Sequence, residues 1–257
     1  MKIKFHKYEG AGNDFIIIDN RNRQFDTTNY KLIERLCNRK KGIGANGLIL
    51  LQLVEGYDFE MVYFNADGHV GSMCGNGGRC IVDFAKQLNI FDEDCHFLAC
   101  DGAHQASWNE SLVSLMMQDV KSIEKGSDFL FLDTGSPHYV KFVDNLMDLD
   151  VKAEGRKIRF NDRFKAEGTN VNFVEIKGDG LYLRTYERGV EDETLACGTG
   201  VVASVLSAFE LSYIELKEVN VKAVGGNLKV CFEKNHYYTA INLIGSYRCV
   251  FKGEILC

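Results

Sequence analysis

Proline is nearly absent from this sequence, in which Pro137 is the only one among 257 residues. A proline-rich linker between parts of the chain is therefore excluded. The sequence also lacks any apolar run near the roughly 18 residues that a membrane helix needs. It has no surplus of positive charge, because 30 Lys and Arg stand against 36 Asp and Glu. Nucleic-acid binders and proteins of anionic membranes concentrate positive charge. We therefore expect no nucleic-acid or membrane partner, and a small-molecule ligand instead.

Metal-site and disulfide signatures are missing as well, although the chain holds nine cysteines. No two cysteines form a C-x-x-C pair and no two histidines lie four residues apart, so the usual zinc patterns are absent. The first residues lack the apolar segment of a secretory signal. An odd number of cysteines in an unexported chain indicates reduced thiols. We expect a soluble, cytoplasmic protein without a bound metal.

Short strands dominate the hydrophobic pattern, and only three segments have helical spacing. The helices are predicted over residues 30–39, 78–89 and 199–211. Strands are predicted over residues 3–6, 15–19, 47–53, 60–64, 111–116, 129–132, 140–142, 172–176, 180–186, 219–223, 228–232 and 237–243. This pattern of many strands and few helices predicts a mixed α+β fold.

The pattern Cys-Gly-x-Gly occurs twice, each time at the beginning of a predicted apolar helix. The copies are MCGNG at residues 73–77 and ACGTG at residues 196–200. A motif repeated in the two halves indicates two similar lobes. We place the first lobe at residues 1–119, completed by a strand at residues 247–257, and the second lobe at residues 120–246.

Each motif places a cysteine where a helix begins. There Cys74 and Cys197 would lie beside backbone N–H groups without helical partners and at the positive end of the helix dipole, which favours a thiolate. The flanking glycines let a carboxylate approach those N–H groups. Two such thiols facing each other could invert a carbon next to a carboxylate, one removing a proton and the other supplying one. This chemistry requires no pyridoxal or other cofactor.

Two other interpretations of the motifs are weaker. The segment GIGANG at residues 42–47 fits a dinucleotide-binding pattern, but it follows a predicted helix and precedes a strand, the reverse of the required order. It is typical of a helix-to-strand turn. A hydrolase with one nucleophile could pair Cys74 or Cys197 with His69 or His138, but it would leave the second motif unused.

The motifs together resemble those of the diaminopimelate epimerase family. The two cysteine signatures are NADG with MCGNGGRC at residues 65–68 and 73–80, and ERGV with TLACGTG at residues 187–190 and 194–200. Four further segments match in family order: KYEGAGNDF at 7–15, GIGANG at 42–47, SPH at 136–138 and TNVNF at 169–173. The resemblance therefore extends over nearly the whole chain.

The resemblance implies a cofactor-independent isomerase that interconverts LL- and meso-2,6-diaminopimelate in lysine and peptidoglycan-precursor synthesis. It implies two pseudo-symmetric lobes, each a curved, barrel-like, mostly antiparallel sheet around a central helix, and it suggests a homodimer. Cys74 and Cys197 would be the catalytic acid and base, while His138 and Glu187 would tune these thiols. The substrate-binding residues implied are Asn13, Asn65, Gly75, Asn76, Asn170, Glu187, Arg188, Gly198 and Thr199.

The sequence departs from the family pattern in three places. The segment between Arg188 and Cys197 is one residue longer than usual, and its acidic run at residues 191–193 is expected to be a solvated loop. Asn46 stands where Asp is usual, and Ser136 where Asn is frequent. These departures bear on substrate contacts more than on the thiols.

Two alternative functions remain open at this stage. One is a proline- or hydroxyproline-type racemase, which also uses a cysteine pair. The Glu187 and Arg188 pair favours instead a substrate with a second charged end. The other is a ligand-binding or redox thiol protein without catalysis on the same scaffold.

Overall fold

The computed structural model describes residues 2–178 and 180–257. The chain forms two compact units, one comprising the residues up to 115 together with 245–257 and the other comprising residues 116–244. Each unit combines β-strands with two α-helices. The predicted mixed α+β class is confirmed. Within the described residues, no helix is long and apolar enough to cross a membrane.

The first unit contains eight strands and two helices among the described residues. In chain order they are β1 (Lys2–Gly10), β2 (Asn13–Asp19), α1 (Tyr30–Cys37), β3 (Gly47–Gln52), β4 (Phe59–Asn65), α2 (Gly75–Gln87), β5 (Asp94–Ala99), β6 (Gly102–Trp108), β7 (Val113–Met116) and, at the end of the chain, β17 (Arg248–Leu256). The last strand pairs with the first, because β17 runs antiparallel to β1 from Lys2 opposite Leu256 to Glu9 opposite Arg248.

The second unit has the same kinds of elements. In chain order they are β8 (Glu124–Lys125), β9 (Leu130–Asp133), β10 (Pro137–Phe142), a 3-10 turn (Leu146–Asp148), α3 (Val151–Arg159), β11 (Asn170–Lys177), β12 (Gly180–Glu187), β13 (Asp192–Thr194), α4 (Gly198–Glu210), β14 (Glu218–Ala223), β15 (Gly226–Lys234) and β16 (Tyr238–Gly245).

The two units share one order of strand pairings. In the first, β1 and β2 are antiparallel, β2 and β3 are parallel across α1, β3 and β4 are antiparallel, and β4 and β5 are parallel across α2. In the second, β9 and β10, β10 and β11 across α3, β11 and β12, and β12 and β14 across α4 repeat that series. Parallel neighbours require a crossover, which a helix supplies in every case. The pseudo-symmetry that the repeated motif predicted is confirmed.

One helix of each unit is buried on all sides. Every residue of α2 from Gly75 to Ala85 is buried, and α4 is buried from Gly198 to Ala208 except at Thr199. The helix α2 packs on β1, β2, β3, β4 and β6, while α4 packs on β9, β10, β11, β12, β14 and β15. The apolar sequence of α4 is typical of such a buried helix, whereas α2 also buries two charged residues, Arg79 and Asp83. Each sheet therefore curves around a central helix.

The other helix of each unit covers the opposite face of the sheet. Along β2, Ile16 and Ile18 pack in a cluster with Ile33 and Leu36 of α1, whereas Phe15 points towards Gly77 of α2. This alternation follows from the two-residue period of a strand. The equivalent cluster of the second unit joins β11 to α3. Each sheet is thus buried on both faces.

A partly buried ion-pair network fixes the start of β2. The Asp14 carboxylate accepts a hydrogen bond from Lys7 at 2.7 Å. It also accepts hydrogen bonds from the two terminal nitrogens, Nη1 and Nη2, of Arg39 at 2.9 and 2.7 Å. Burial alone would raise the pKa of Asp14, but the hydrogen bonds from Arg39 and Lys7 hold it below its usual value. Since Lys7 is only 8% exposed in its side chain, removal of its partner would leave a buried charge.

We therefore expect Asp14→Ala to lower the free energy of unfolding by about 3 kcal/mol, as in other cases where one partner of a buried pair is removed. Because the folded-state pKa is lowered, this contribution should be present near neutral pH and be lost as the pH falls through that lowered value. Urea denaturation at several pH values measures it. The exposed Lys141 and Asp128 pair is the control: Asp128→Ala should cost under about 1 kcal/mol, and an equal cost for both variants would contradict this account.

Candidate active site

Cys74 lies directly before α2 and has the backbone of an N-cap residue, with φ −115° and ψ 114°. Its sulfur is 3.7 Å from the side-chain nitrogen of Asn13. The strand β2 begins at Asn13 after a two-residue turn in which Ala11 and Gly12 have φ of 52° and 81°, and Gly10 pairs with Asn13 across this turn. Such a tight hairpin turn fixes the strand register. The hairpin therefore places Asn13 at the thiol.

The fifth residue of α2 is a fully buried arginine. Arg79 has no exposed surface, and its guanidinium donates to the Asn76 side-chain oxygen at 2.9 Å and to the Gly75 carbonyl at 3.3 Å. Burial lowers the pKa of Arg79, while the nearby Cys80 and Cys74 sulfurs act in the opposite direction. A buried cation stabilises a negative charge placed near it. Arg79 was not among the site residues predicted from the sequence.

Asn65 is the last residue of β4, where it pairs with Gly47 of β3. Its side chain is exposed, and its carboxamide oxygen faces Gly71, since a β-carbon there would lie 2.9 Å from it. Its carbonyl accepts from Gly68 at 3.0 Å to close a turn. The first unit thus holds the predicted residues Asn13, Asn65, Cys74, Gly75 and Asn76.

Cys197 lies before α4 in almost the same conformation as Cys74, with φ −112° and ψ 109°. Its sulfur is 3.4 Å from the hydroxyl of Thr199, and that hydroxyl is 2.9 Å from the Nε2 atom of His138. The hydroxyl of Thr134 donates to the Thr199 carbonyl at 2.9 Å. The start of α4, at Gly198 and Thr199, is therefore held against β9 and β10.

The imidazole of His138 is completely buried. Burial, with a further contribution from the Arg188 cation, lowers the pKa of His138 to about 3. The ring is therefore neutral at physiological pH. Its Nδ1 atom lies 2.9 Å from the amide nitrogen of Asn172 on β11. His138 was predicted from the sequence as a site residue, but Asn172 was not. Its only signal is that it is a polar residue inside the apolar run of that strand.

Three of the predicted substrate-binding residues, Asn170, Glu187 and Arg188, lie together in the second unit. Asn170 is 5% exposed, and its carboxamide oxygen accepts from the Arg188 backbone N–H at 2.8 Å. The Arg188 guanidinium donates to the Glu167 carbonyl at 2.9 Å. Glu187 ends β12 and is half-buried, and burial raises its pKa. The Glu187 carboxylate and the Arg188 guanidinium at the end of β12 thus lie beside the Asn170 amide at the start of β11.

The acidic run before Cys197 is not the solvated loop that the sequence suggested. The Glu193 carboxylate accepts hydrogen bonds from Nε and Nη2 of Arg184, each at 2.7 Å, and Glu191 pairs with Arg159 at 3.3 Å. Asp192 contacts Lys152 of α3. That expectation was wrong because residues 192–194 form β13, and because Arg184 of β12 and two basic residues of α3, a helix that the sequence did not predict, pair with these acids.

The glycine-rich segment after α1 has the structure expected of a helix-to-strand turn. The helix ends at Cys37, β3 begins at Gly47, and Gly44 has φ of 82°. Asn46 accepts from the backbone N–H of Asp14 at 3.1 Å, so it contacts backbone next to Asn13. Across the part of the chain that the structure describes, no group of three or more His, Cys, Asp or Glu could hold a metal ion.

Known proteins with similar sequences cover nearly the whole chain. The family model described as diaminopimelate epimerase matches residues 5–123 and again residues 130–249. A diaminopimelate epimerase of Flavobacterium psychrophilum is 47% identical over 256 residues, covering 98% of this chain and 100% of that protein. A diaminopimelate epimerase of Chlorobaculum tepidum is 46% identical over 256 residues, covering 96% of this chain and 98% of that protein.

Solved structures share the fold at much lower identity. A PhzF-family phenazine biosynthesis protein of Bacillus anthracis has a TM-score of 0.76 at 14% identity, with both chains fully covered. A hydroxyproline epimerase from Agrobacterium vitis has a TM-score of 0.68 at 12% identity, covering 99% of this chain and 92% of that one. Similarity at this identity shows the fold alone, whereas the sequence matches decide the family. This chain belongs to the diaminopimelate epimerase family.

Proposed function

We propose that this protein is an isomerase that interconverts LL- and meso-2,6-diaminopimelate without a cofactor. The observation that carries the proposal is the duplication of a thiol at a helix start: Cys74 and Cys197 have nearly identical backbone conformations in two units of one topology. Relatives that carry the epimerase name over their full length support the same assignment.

The proposed mechanism uses the two cysteines as alternate base and acid. The thiolate of one cysteine takes the proton from the α-carbon. The electron pair of the broken C–H bond passes into the adjoining carboxylate, which gains enolate character. The other thiol gives its proton to the opposite face of that carbon, so the configuration inverts and no net atom is gained or lost. Backbone N–H groups at Gly75, Asn76, Gly198 and Thr199 would stabilise the developing negative charge.

The second charged end of the substrate would be bound by side chains of known chemistry. Arg188 can hold a carboxylate with two parallel hydrogen bonds, and Glu187 can accept from an ammonium group. Asn13, Asn65 and Asn170 can donate to the carboxylate or accept from the ammonium, and neutral amides do so without adding charge near the thiols. A cyclic substrate with a single charged end would leave Glu187 and Arg188 without partners.

The substrate assay separates this proposal from its alternatives. Incubation with LL-diaminopimelate should yield the meso isomer, whereas L-proline and hydroxyproline should remain unchanged. Turnover of proline with none of diaminopimelate would instead identify a proline-type racemase. Thermal stabilisation by diaminopimelate with no conversion and no exchange of its α-hydrogen would identify a binding protein.

Protonation of Glu187 should limit activity at weakly acidic pH. Since burial raises its pKa, the carboxylate that accepts the ammonium group is lost as the pH falls through a value above that of an exposed glutamate, about 4.3. We expect kcat/KM to fall with that step. Glu187→Gln should raise KM roughly a hundredfold, because it removes one partner of a desolvated charged pair, and should abolish the step. A pH profile with the step unchanged in Glu187→Gln would refute this role.

A further inference from the structure

A continuous line of hydrogen-bonding groups in the second unit ends at the Cys197 sulfur. The Thr185 hydroxyl lies 3.0 Å from the Asn172 carboxamide oxygen, and the Asn172 amide nitrogen lies 2.9 Å from Nδ1 of His138. Nε2 of His138 lies 2.9 Å from the Thr199 hydroxyl, which in turn lies 3.4 Å from the sulfur. The groups come from β12, β11, β10 and the first turn of α4.

We propose that Asn172 is a positioning residue that fixes which group donates and which accepts in each of these hydrogen bonds. The Thr199 hydroxyl then donates its hydrogen to the Cys197 sulfur. The inference deepens the proposed function, because it concerns how Cys197 serves as one of the two acid-base thiols. It requires three steps: the orientation of the Asn172 amide, the protonation of His138, and the orientation of the Thr199 hydroxyl.

The orientation of the Asn172 amide is fixed by two contacts other than His138. Its nitrogen lies 3.2 Å from the backbone carbonyl oxygen of Tyr139, which can only accept. Its oxygen lies opposite the Thr185 hydroxyl, which can donate. A flipped amide would place two acceptors together at Tyr139. The N–H group therefore points at His138, and Nδ1 of the ring must accept.

The tautomer of His138 follows from its burial. The ring has no exposed surface, and the Arg188 cation nearby further disfavours a second proton. A neutral imidazole carries one hydrogen, and since Nδ1 accepts, that hydrogen is on Nε2. Nε2 therefore donates to the Thr199 hydroxyl oxygen. The hydroxyl of Thr199 then directs its own hydrogen to the Cys197 sulfur.

A donor at the sulfur favours the thiolate over the thiol, because a hydrogen bond to the charged form stabilises that form. The groups around Cys74, the equivalent thiol of the first unit, are different. There Asn76 replaces Thr199, and its oxygen accepts from the buried Arg79 guanidinium. The two thiolates are thus stabilised by different groups, a neutral hydrogen-bond line at Cys197 and a buried cation near Cys74.

The tautomer can be observed directly by nitrogen-15 NMR of the full-length protein labelled at the histidine ring nitrogens, with His138→Gln used to assign the signals. We expect His138 to show a bare Nδ1 and a protonated Nε2 throughout the range from about pH 5.5 to 8.5. A protonated Nδ1, or a doubly protonated ring in this range, would overturn the proposal. This measurement needs no variant of Asn172 and no substrate.

The consequence for the thiol can be tested with Asn172→Leu, which keeps the size of the side chain but lacks its amide. The rate of Cys197 alkylation by iodoacetamide at pH 7, followed by peptide mass spectrometry, should fall roughly tenfold, as expected when a hydrogen bond to a charged group is weakened. kcat should fall with it while KM is retained. A change of KM alone, or unchanged alkylation in a variant whose tautomer has changed, would overturn the proposal.

Ser204→Ala is the matched control, because it also removes one buried hydrogen bond in the first half of α4, from the Ser204 hydroxyl to the Gly200 carbonyl at 2.7 Å, but lies outside the line. It should leave both the His138 tautomer and the Cys197 alkylation rate unchanged. Equal effects of Ser204→Ala and Asn172→Leu would show that Asn172 acts only through stability, which contradicts the proposal. If diaminopimelate were not turned over, the NMR and alkylation results would still decide the direction of the line.

Discussion

Alanine at either Cys74 or Cys197 is expected to reduce epimerisation roughly a thousandfold, within the range that one general acid or base contributes. The loss should be similar in both directions of the reaction, because each direction requires one thiolate and one thiol. The two variants should nevertheless differ. Each retains one thiol, which can still exchange the α-hydrogen of a single epimer with solvent, and the exchanged epimer should be the LL form for one variant and the meso form for the other.

The matched control is Cys80→Ala, on the same helix as Cys74. Burial raises the pKa of Cys80, so this residue is a core thiol rather than an acid-base group. Its replacement should cost some stability and little activity. Full activity in either Cys74→Ala or Cys197→Ala would exclude the two-base mechanism, and so would single variants that both exchange the same epimer.

The second large effect is expected at Gly200, the third residue of α4. A β-carbon there would overlap the carboxamide oxygen of Asn172 and lie 3.3 Å from Cε1 of His138. Gly200→Ala should therefore displace the side chains that support Thr199 and Cys197. We expect it to lower kcat about a hundredfold, as small misplacements of catalytic groups do, and to destabilise the fold by about 2 kcal/mol, as other overpacked cores do.

The repeat itself supplies the control, because Gly77 holds the equivalent position in α2. A β-carbon at Gly77 would lie 2.9 Å from Cδ1 of Ile49 and 3.3 Å from Cε of Met61. Both are ends of flexible side chains that can turn away. Gly77→Ala should thus cost under about 1 kcal/mol and have a much smaller effect on kcat. Equal losses in the two variants, measured by steady-state kinetics and thermal unfolding, would contradict the importance of the Asn172 and His138 contact.

The sequence predicted the parts of the fold in which local signals and burial agree. The three helices with dense apolar stripes are present as α1, α2 and α4, and α2 begins at Gly75, three residues before the predicted start. Glycine is a weak helix former, so the apolar pattern placed the start too late. The first N–H groups of a helix have no partner within the helix, so the position of this start bears on the proposed function.

The helix α3 was not predicted because its apolar stripe is thin. Of its nine residues only Val151 and Gly155 are buried, and Gly155 fits there because a β-carbon would overlap the Tyr186 ring. Packing against β12 rather than amphipathic spacing therefore stabilises this helix. Two acids of the run before Cys197, Glu191 and Asp192, pair with this helix, so their interpretation as a solvated loop was wrong for the same reason.

The candidate site was predictable where a residue type has a chemistry of its own, as for Cys74, Cys197 and His138. Asn172, Thr185 and Arg79 were missed because their roles depend on contacts between strands and helices distant in sequence. A buried asparagine within a strand and a buried arginine on an apolar helix are costly unless they are fully hydrogen-bonded. Their presence indicates a polar network, but only the three-dimensional structure shows what the network supports.

The central claim, that two thiols act on one carbon, is tested most directly by the distribution of deuterium during the first few per cent of turnover in deuterated water. Starting from LL-diaminopimelate, the account predicts that the meso product carries solvent deuterium at the inverted carbon while the remaining LL substrate carries almost none, because a different group donates the second hydrogen. Equal deuterium in substrate and product, or product that retains the original hydrogen, would contradict it.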